Sequence, residues 1–221
     1  MINKEGLPWV VTPGLLGAVL GHLTKRKDLL YGGALASLAL AWFFRDPDRY
    51  PPFDREIIVS PADGRIVAIK KVKEDKFLNT EAYQIGIFMN VCDVHVNRAP
   101  ATCRVVDIWH EPGEYLPADK EEAFEKNEKR YYALERLDGV PLLLVQVAGL
   151  LARRTVPFVK KGDELLASER IGMIKFGSRV ELFVPVDKAK ILVNMGHKVR
   201  AGESPLIFYP WEANGQEKTE E

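Results

Sequence analysis

The chain has 221 residues, 47% of them hydrophobic, and its 31 basic and 31 acidic side chains balance to a formal charge of zero. Such a chain is long enough for a substantial core and too apolar for global disorder, and its neutral balance argues against a dedicated nucleic-acid binder, which carries a basic excess. Two cysteines, Cys92 and Cys103, are too few for a disulfide framework or a four-thiolate zinc site and fit a reduced setting.

In chain order the first elements are two apolar runs. Residues 7–23 and 29–44 contain no Lys, Arg, Asp or Glu, and the connector Thr24-Lys25-Arg26-Lys27-Asp28 joins them. A bilayer-spanning helix needs about 20 apolar residues, with a lower limit near 17, and both runs sit at or below that limit. A secretory signal peptide would have one such run. Buried core helices are an alternative. The reading that uses both runs is a membrane-associated helical hairpin over residues 1–44, dipping into one leaflet. Trp9, Tyr31 and Trp42 would lie at the lipid–water interface, with the rest of the chain on the cytoplasmic face. Residues 44–52, with three prolines and four charges, then break the pattern.

Residues 45–221 read as a mainly β domain. Short segments rich in Val, Ile, Phe and Tyr, bounded by Gly, Pro, Asp and Asn, predict strands. They cover residues 56–60, 65–72, 83–89, 104–109, 130–136, 141–147, 172–176, 180–185 and 205–209. Strands at that spacing predict a sandwich or barrel. The charged stretch 119–130 reads as a helical turn or a solvated loop. A weak repeat links residues 159–172 to residues 193–205. Each copy has a turn glycine and then a second small-residue turn, as in lipoyl- or biotinyl-type β-sandwiches. Lys175 is not flanked as a lipoyl-carrying lysine would be.

Common catalytic motifs are absent. There is no phosphate loop, dinucleotide fingerprint, zinc-binding helix or nucleophile elbow, and His22, His95, His110 and His197 show no metal-ligand spacing. Three polar islands remain in apolar surroundings. In Ser60-Pro61-Ala62-Asp63-Gly64 the Asp-Gly pair reads first as a turn, with Asp63 the reactive alternative. In the second, residues 90–100, an extended chain would place Asp93, His95 and Asn97 on one face. His95 with an acid nearby suits acid–base work near neutral pH, although a lone histidine near an apolar strand is more often a satisfied structural residue. In Phe176-Gly177-Ser178-Arg179 the Gly-Ser pair reads as a turn or bulge. Glycine also leaves its carbonyl open to attack by the following hydroxyl.

Together these islands resemble the phosphatidylserine decarboxylases of the short prokaryotic type. The resemblance rests on Phe44-Arg45-Asp46-Pro47, on Ser60 through Gly64, on Asp93 through Pro100, on Gly149 through Arg154 and on Arg170 through Val180, in that order. Archaetidylserine decarboxylases look alike, which leaves the lipid backbone open. The resemblance implies self-cleavage between Gly177 and Ser178, giving a β chain of residues 1–177 and an α chain of residues 178–221. These would form an α/β heterodimer from one precursor, with a higher oligomer possible. Ser178 would become a pyruvoyl group, which forms a Schiff base with the amine of phosphatidylserine in the membrane before carbon dioxide leaves. His95 would be the proton donor or base, and Asp63 would support self-cleavage. Long-type members carry a second histidine where this chain has Arg98. Arg98, Arg153 and Arg154 suit the substrate carboxylate or phosphate, with structural salt bridges equally open. No metal and no nucleic acid is implied.

Two other classes compete. A non-enzymatic, membrane-tethered β-sandwich would stay uncut. A serine hydrolase using Ser178, His95 and Asp63 would stay uncut and react with a fluorophosphonate.

Overall fold

The computed structural model describes residues 2–118, 120, 122–149, 155–174 and 178–211. The chain divides into two compact units, Met1–Asp48 and Arg49–Glu221.

The first unit is a helical hairpin, α1 (Leu7–Thr24) and α2 (Lys27–Phe43). Lys25 takes a left-handed conformation (φ 54°) and the Arg26 N–H donates to the Gly21 carbonyl (3.1 Å), which ends α1 and reverses the chain. The seam between the helices is made of small residues. A Cβ on Gly17 would lie 2.8 Å from the Gly33 Cα, and one on Gly14 would lie 2.9 Å from Ser37 Oγ. Small residues at such spacing let helices pack without large apolar knobs between them. The large side chains point outward instead: Leu15, Leu23, Tyr31, Leu35 and Leu38 are all more than 60% exposed. A hairpin polar neither inside nor outside suits a lipid solvent. The helical stretch Lys4–Thr24, 21 residues containing an 18-residue window of mean hydropathy 1.3, is long and apolar enough to cross a membrane by length and composition. The Asn3 N–H donates to the Phe44 carbonyl (2.9 Å) and ties the ends of this unit together.

The second unit is mainly antiparallel β, as expected. An eight-stranded sheet has the order β13 (Lys198–Val199), β2 (Gly64–Glu74), β3 (Thr80–Met89), β11 (Ser178–Pro185), β7 (Pro141–Val147), β6 (Lys129–Arg136), β5 (Cys103–Glu111) and β9 (Glu164–Leu165). Two three-stranded sheets accompany it. One has the order β1 (Ile57–Val59), β14 (Pro205–Phe208), β12 (Lys190–Ile191), and the other β4 (Val96–Arg98), β10 (Arg170–Ile174), β8 (Thr155–Pro157). Strand β11 lies inside the large sheet and all eight of its residues are buried. Val180, Leu182 and Val184 join the main core, while Phe183 joins a smaller core on the opposite face. Neither core contains a residue before Ile58.

The repeat of residues 159–172 and 193–205 is structural, and each copy has a mate in the N-terminal half. Gly162 and Val105 exchange a hydrogen bond that Gly196 and Ile66 reproduce, both at 2.8 Å. The Ser168 N–H donates to the Ala99 carbonyl (3.0 Å) as the Gly202 N–H does to Ser60 (2.7 Å). Strands β1, β2, β12, β13 and β14 therefore correspond to β4, β5, β8, β9 and β10. Short strands of two or three residues, such as β9 and β13, carry too little periodicity to be read from sequence.

Two local expectations are corrected. Residues 93–97 do not form one strand, so Asp93, His95 and Asn97 do not share a strand face; only Val96–Arg98 pairs. The Asp93 carboxylate accepts from the Asn90 N–H (2.9 Å) and the Asn90 amide oxygen from the Cys92 N–H (2.7 Å). Such local bonds compete with a ladder. The charged stretch 119–130 contains α3 (Glu122–Lys126) and the start of β6, and Asn127, Glu128 and Lys129 are buried rather than solvated.

Candidate active site

The first island is a tight turn after β1. Ser60 Oγ donates to the Ala62 carbonyl (2.7 Å). Gly64 (φ 151°) starts β2 where a Cβ would lie 2.2 Å from the Phe88 carbonyl oxygen, so only glycine allows that approach. Between them Asp63 is buried. Its carboxylate accepts from the Ala201 N–H (2.7 Å) and from Arg49 Nη2 (3.0 Å), and Arg49 Nη1 also binds Glu203 (2.9 Å). Burial pushes the Asp63 carboxyl above its ordinary range; the Ala201 amide and the Arg49 charge pull the other way, and the Asp93 charge adds to the upward push. The Val94 N–H also favours the ionised form, so Asp63 reaches the segment that carries His95.

His95 is fully buried. Its Nδ1 lies 2.9 Å from the Asp93 carbonyl oxygen. A carbonyl only accepts, so the neutral ring carries its proton on Nδ1 and Nε2 is the basic nitrogen. The His95 carbonyl in turn accepts from the Ile174 N–H (3.2 Å), at the end of β10 and four residues before Ser178. The same two islands meet at Arg98, whose N–H donates to the Pro61 carbonyl (2.9 Å).

Ser178 is the first residue of β11, opposite Met89 in β3. It is fully buried, and its Oγ donates to Met89 Sδ (3.4 Å). A thioether is a weak acceptor, so this hydroxyl proton is lightly held. Ser178 thus lies in a strand rather than in a turn. Gly177 lies outside the described residues, as do Arg153 and Arg154.

Arg98 is buried and Nη1 donates to the Ser168 carbonyl (2.8 Å), a structural contact. His110 and His197 are exposed. The first pairs with Glu128 (3.2 Å), and the second accepts the Asn194 N–H (3.3 Å). Among the described residues no cluster of His, Cys, Asp and Glu is arranged to hold a metal ion. Cys92 is exposed, and burial pushes the Cys103 thiol up to about 12.

Sequence reasoning missed Arg49, which it read only as a boundary charge, and the buried polar residues Gln146 and Tyr132 beside Asn97. The signal available for those two was a polar residue in an otherwise apolar strand, Gln146 in Pro141–Val147.

A family model described as phosphatidylserine decarboxylase matches residues 37–206. A phosphatidylserine decarboxylase proenzyme of Syntrophus aciditrophicus is 40% identical over 205 residues, 93% of this chain and 96% of the relative. Proteins of the same name from Desulfotalea psychrophila and Geotalea uraniireducens are each 40% identical; they match over 93% and 95% of this chain, and over 95% and 97% of their own length. These matches define the chain as an enzyme of the decarboxylase class. It belongs to the phosphatidylserine decarboxylase family.

Proposed function

We propose that the chain is a precursor that cuts itself between Gly177 and Ser178 and then decarboxylates phosphatidylserine to phosphatidylethanolamine, with a pyruvoyl group made from Ser178. The observation that carries this reading is Ser178 itself. A fully buried serine opens a central strand, with its hydroxyl on a weak acceptor. The strand end before it is tied to His95, and Asp63 reaches the same segment.

In the cut, Ser178 Oγ gives its proton to a base and adds to the Gly177 carbonyl carbon. The peptide C–N bond breaks, its nitrogen takes a proton, and an ester joins Gly177 to Ser178 Oγ. A base then removes the Ser178 α-proton, the Cβ–Oγ bond breaks, and Gly177 departs as a carboxylate. The dehydroalanine left at position 178 takes up water and releases ammonia. His95, through Nε2, is the proposed base, with Asp63 supporting this stage.

The two products stay together without a covalent bond. The α chain contributes β11, β12, β13 and β14, and β11 lies between β3 and β7 of the β chain. Register pairs run from Ser178–Met89 to Pro185–Ala82 on one side and from Arg179–Val147 to Phe183–Leu143 on the other.

The surroundings of Ser178 fit a small ketone at that position: the residue is fully buried against the Met89 thioether, and the Asn97 amide donor rests on the same sulfur. A pyruvoyl group made from Ser178 would supply an electron sink reached through the substrate amine, so that the carboxylate could leave as carbon dioxide. His95 then returns a proton to the substrate α-carbon. Arg153 and Arg154 are the proposed partners of the phosphate and carboxylate, whereas the Ser168 contact gives Arg98 a structural task. The apolar unit holds the enzyme at the cytoplasmic face of the membrane that contains its substrate.

Intact mass spectrometry tests the scheme. Wild type should give two species that meet at 177/178, and Ser178→Ala one uncut, inactive chain. An uncut wild-type chain with full decarboxylase activity would refute it.

A further inference from the structure

The oxyanion formed during self-cleavage needs hydrogen-bond donors placed in advance, and the core beside Ser178 contains a directed chain of them. Tyr132 is fully buried, and its hydroxyl donates to Gln146 Oε1 (2.9 Å). Burial pushes the Tyr132 hydroxyl pKa up, so the proton stays on the oxygen. That donation turns the Gln146 amide so that Nε2 donates to Asn97 Oδ1 (2.8 Å). The Asn97 amide is thereby turned so that Nδ2 faces Met89 Sδ at 3.7 Å. Reversing the chain would strand the buried Tyr132 proton and aim an oxygen at the sulfur, so the direction is fixed.

Met89 Sδ is also the acceptor for Ser178 Oγ at 3.4 Å. The two contacts to one sulfur bring the Asn97 N–H donors within about 7 Å of the Ser178 hydroxyl. All four side chains are fully buried, from Tyr132 and Gln146 to Asn97 and Ser178. A buried amide N–H resting on a distant thioether is close to unsatisfied, which is costly unless something better uses it. Gly172 leaves room for the chain. It is paired with Asn97 across β10 and β4, and a Cβ there would lie 2.7 Å from the Tyr132 hydroxyl and 3.0 Å from Gln146 Nε2.

We infer that Asn97 is the side-chain donor to the oxyanion formed on the Gly177 carbonyl when Ser178 attacks, and that Gln146 and Tyr132 are positioning residues that aim it. The carbon attacked is bonded to the Ser178 nitrogen and becomes bonded to Ser178 Oγ, so the oxyanion forms one atom away from the hydroxyl oxygen that shares Met89 Sδ with the Asn97 amide. As Ser178 Oγ adds, the carbonyl π electrons move onto oxygen. The Asn97 N–H exchanges a weak acceptor for an anionic one, a gain made only along the reaction. When the C–N bond breaks, the electrons return to form the ester carbonyl and the amide falls back on Met89. Such a role presupposes self-cleavage at Gly177–Ser178.

The test follows self-cleavage of the full-length chain in time by intact mass. Asn97→Ala and Asn97→Asp should slow the cut about 100- to 1000-fold, the loss typical of one oxyanion donor. Hydroxylamine, which cleaves esters, should not restore cutting, because the ester itself forms slowly. Gln146→Glu cannot donate to Asn97 when ionised and should slow the cut in the same sense; Tyr132→Phe should have a smaller effect. An amide does not titrate, so the pH profile of residual cutting should keep its shape, whereas packing damage that disturbs His95 or Asp63 would move it. Wild-type rates in folded Asn97→Ala and Gln146→Glu, with Ser178→Ala uncut, would overturn the donor role and leave self-cleavage standing. Cutting of Ser178→Ala at the same bond would overturn self-cleavage itself. If Asn97→Ala does not fold, Gln146→Glu and Tyr132→Phe decide the matter.

Discussion

Arg49 is the residue whose removal probes the site most directly, because its guanidinium is the one cation on Asp63 among the described contacts. The two side chains are 10% and 12% exposed and lie 3.0 Å apart. At an effective dielectric near 20 their direct attraction is roughly 5 kcal/mol, much of it offset by desolvation. Removing one partner from such a buried pair typically costs about 3–5 kcal/mol. Asp63 keeps the Ala201 N–H at 2.7 Å, so Arg49→Met should cost about 3 kcal/mol at neutral pH, near the lower end. Glu203 is 31% exposed, and Glu203→Gln should cost under about 1 kcal/mol.

The pH dependence has a defined sign. The Asp63 carboxyl is raised from its ordinary 3.8, first by burial, and loss of the opposing Arg49 charge raises it further. A carboxyl raised in the folded state favours folding below its unfolded value and loses that contribution as pH rises through the folded value. Arg49→Met should therefore cost most at neutral pH and little below about pH 4, where Asp63 is protonated in either protein. Urea unfolding in a Ser178→Ala background, from pH 4 to 8, measures this without interference from cutting. In the Ser178 background the acid limb of self-cleavage should move to higher pH. Stability within about 0.5 kcal/mol of the parent across that range, with an unmoved acid limb, would show that Arg49 does not support Asp63.

Gly172→Ala should cost about 1–3 kcal/mol by overpacking and should also slow self-cleavage, because the new methyl displaces Tyr132 and Gln146; unfolding midpoints and the rate of chain formation report both. His95→Gln should lower the decarboxylation rate of the cut fraction about 100- to 10,000-fold, read as labelled carbon dioxide released from phosphatidylserine vesicles. Deleting residues 2–44 should abolish co-sedimentation with vesicles and leave the melting temperature of the β unit close to that of the full chain, since neither core contains a residue before Ile58. A large fall in that temperature would contradict an independent β body.

The strands read most easily from the sequence were those with a long alternating or β-branched pattern. Pro141–Val147 agrees residue for residue, and the expected strands at 83–89, 104–109 and 130–136 fall within β3, β5 and β6. Short strands in the repeat were not legible, because two residues carry no period. The turn at Asn90–Asp93 was missed because local side-chain bonds decide it, and an extended reading is equally consistent with its composition.

Hydrophobic content had argued against global disorder and neutral charge against nucleic-acid binding, and the apolar asymmetry had marked off the first 44 residues. Sequence also determined the family, because its motifs are contiguous strings whose identity survives without coordinates. It marked Asp63, His95 and Ser178 as three islands far apart in the chain. Only the tertiary structure decided what lies between and beneath them. Arg49 meets Asp63 across a turn, Ala201 arrives from the far end of the chain, and Gln146 reaches Asn97 from another strand. The bond from Ala201 to Asp63 joins residues 138 positions apart. No local pattern encodes such bonds, since they exist only once the sheets have closed around the buried serine.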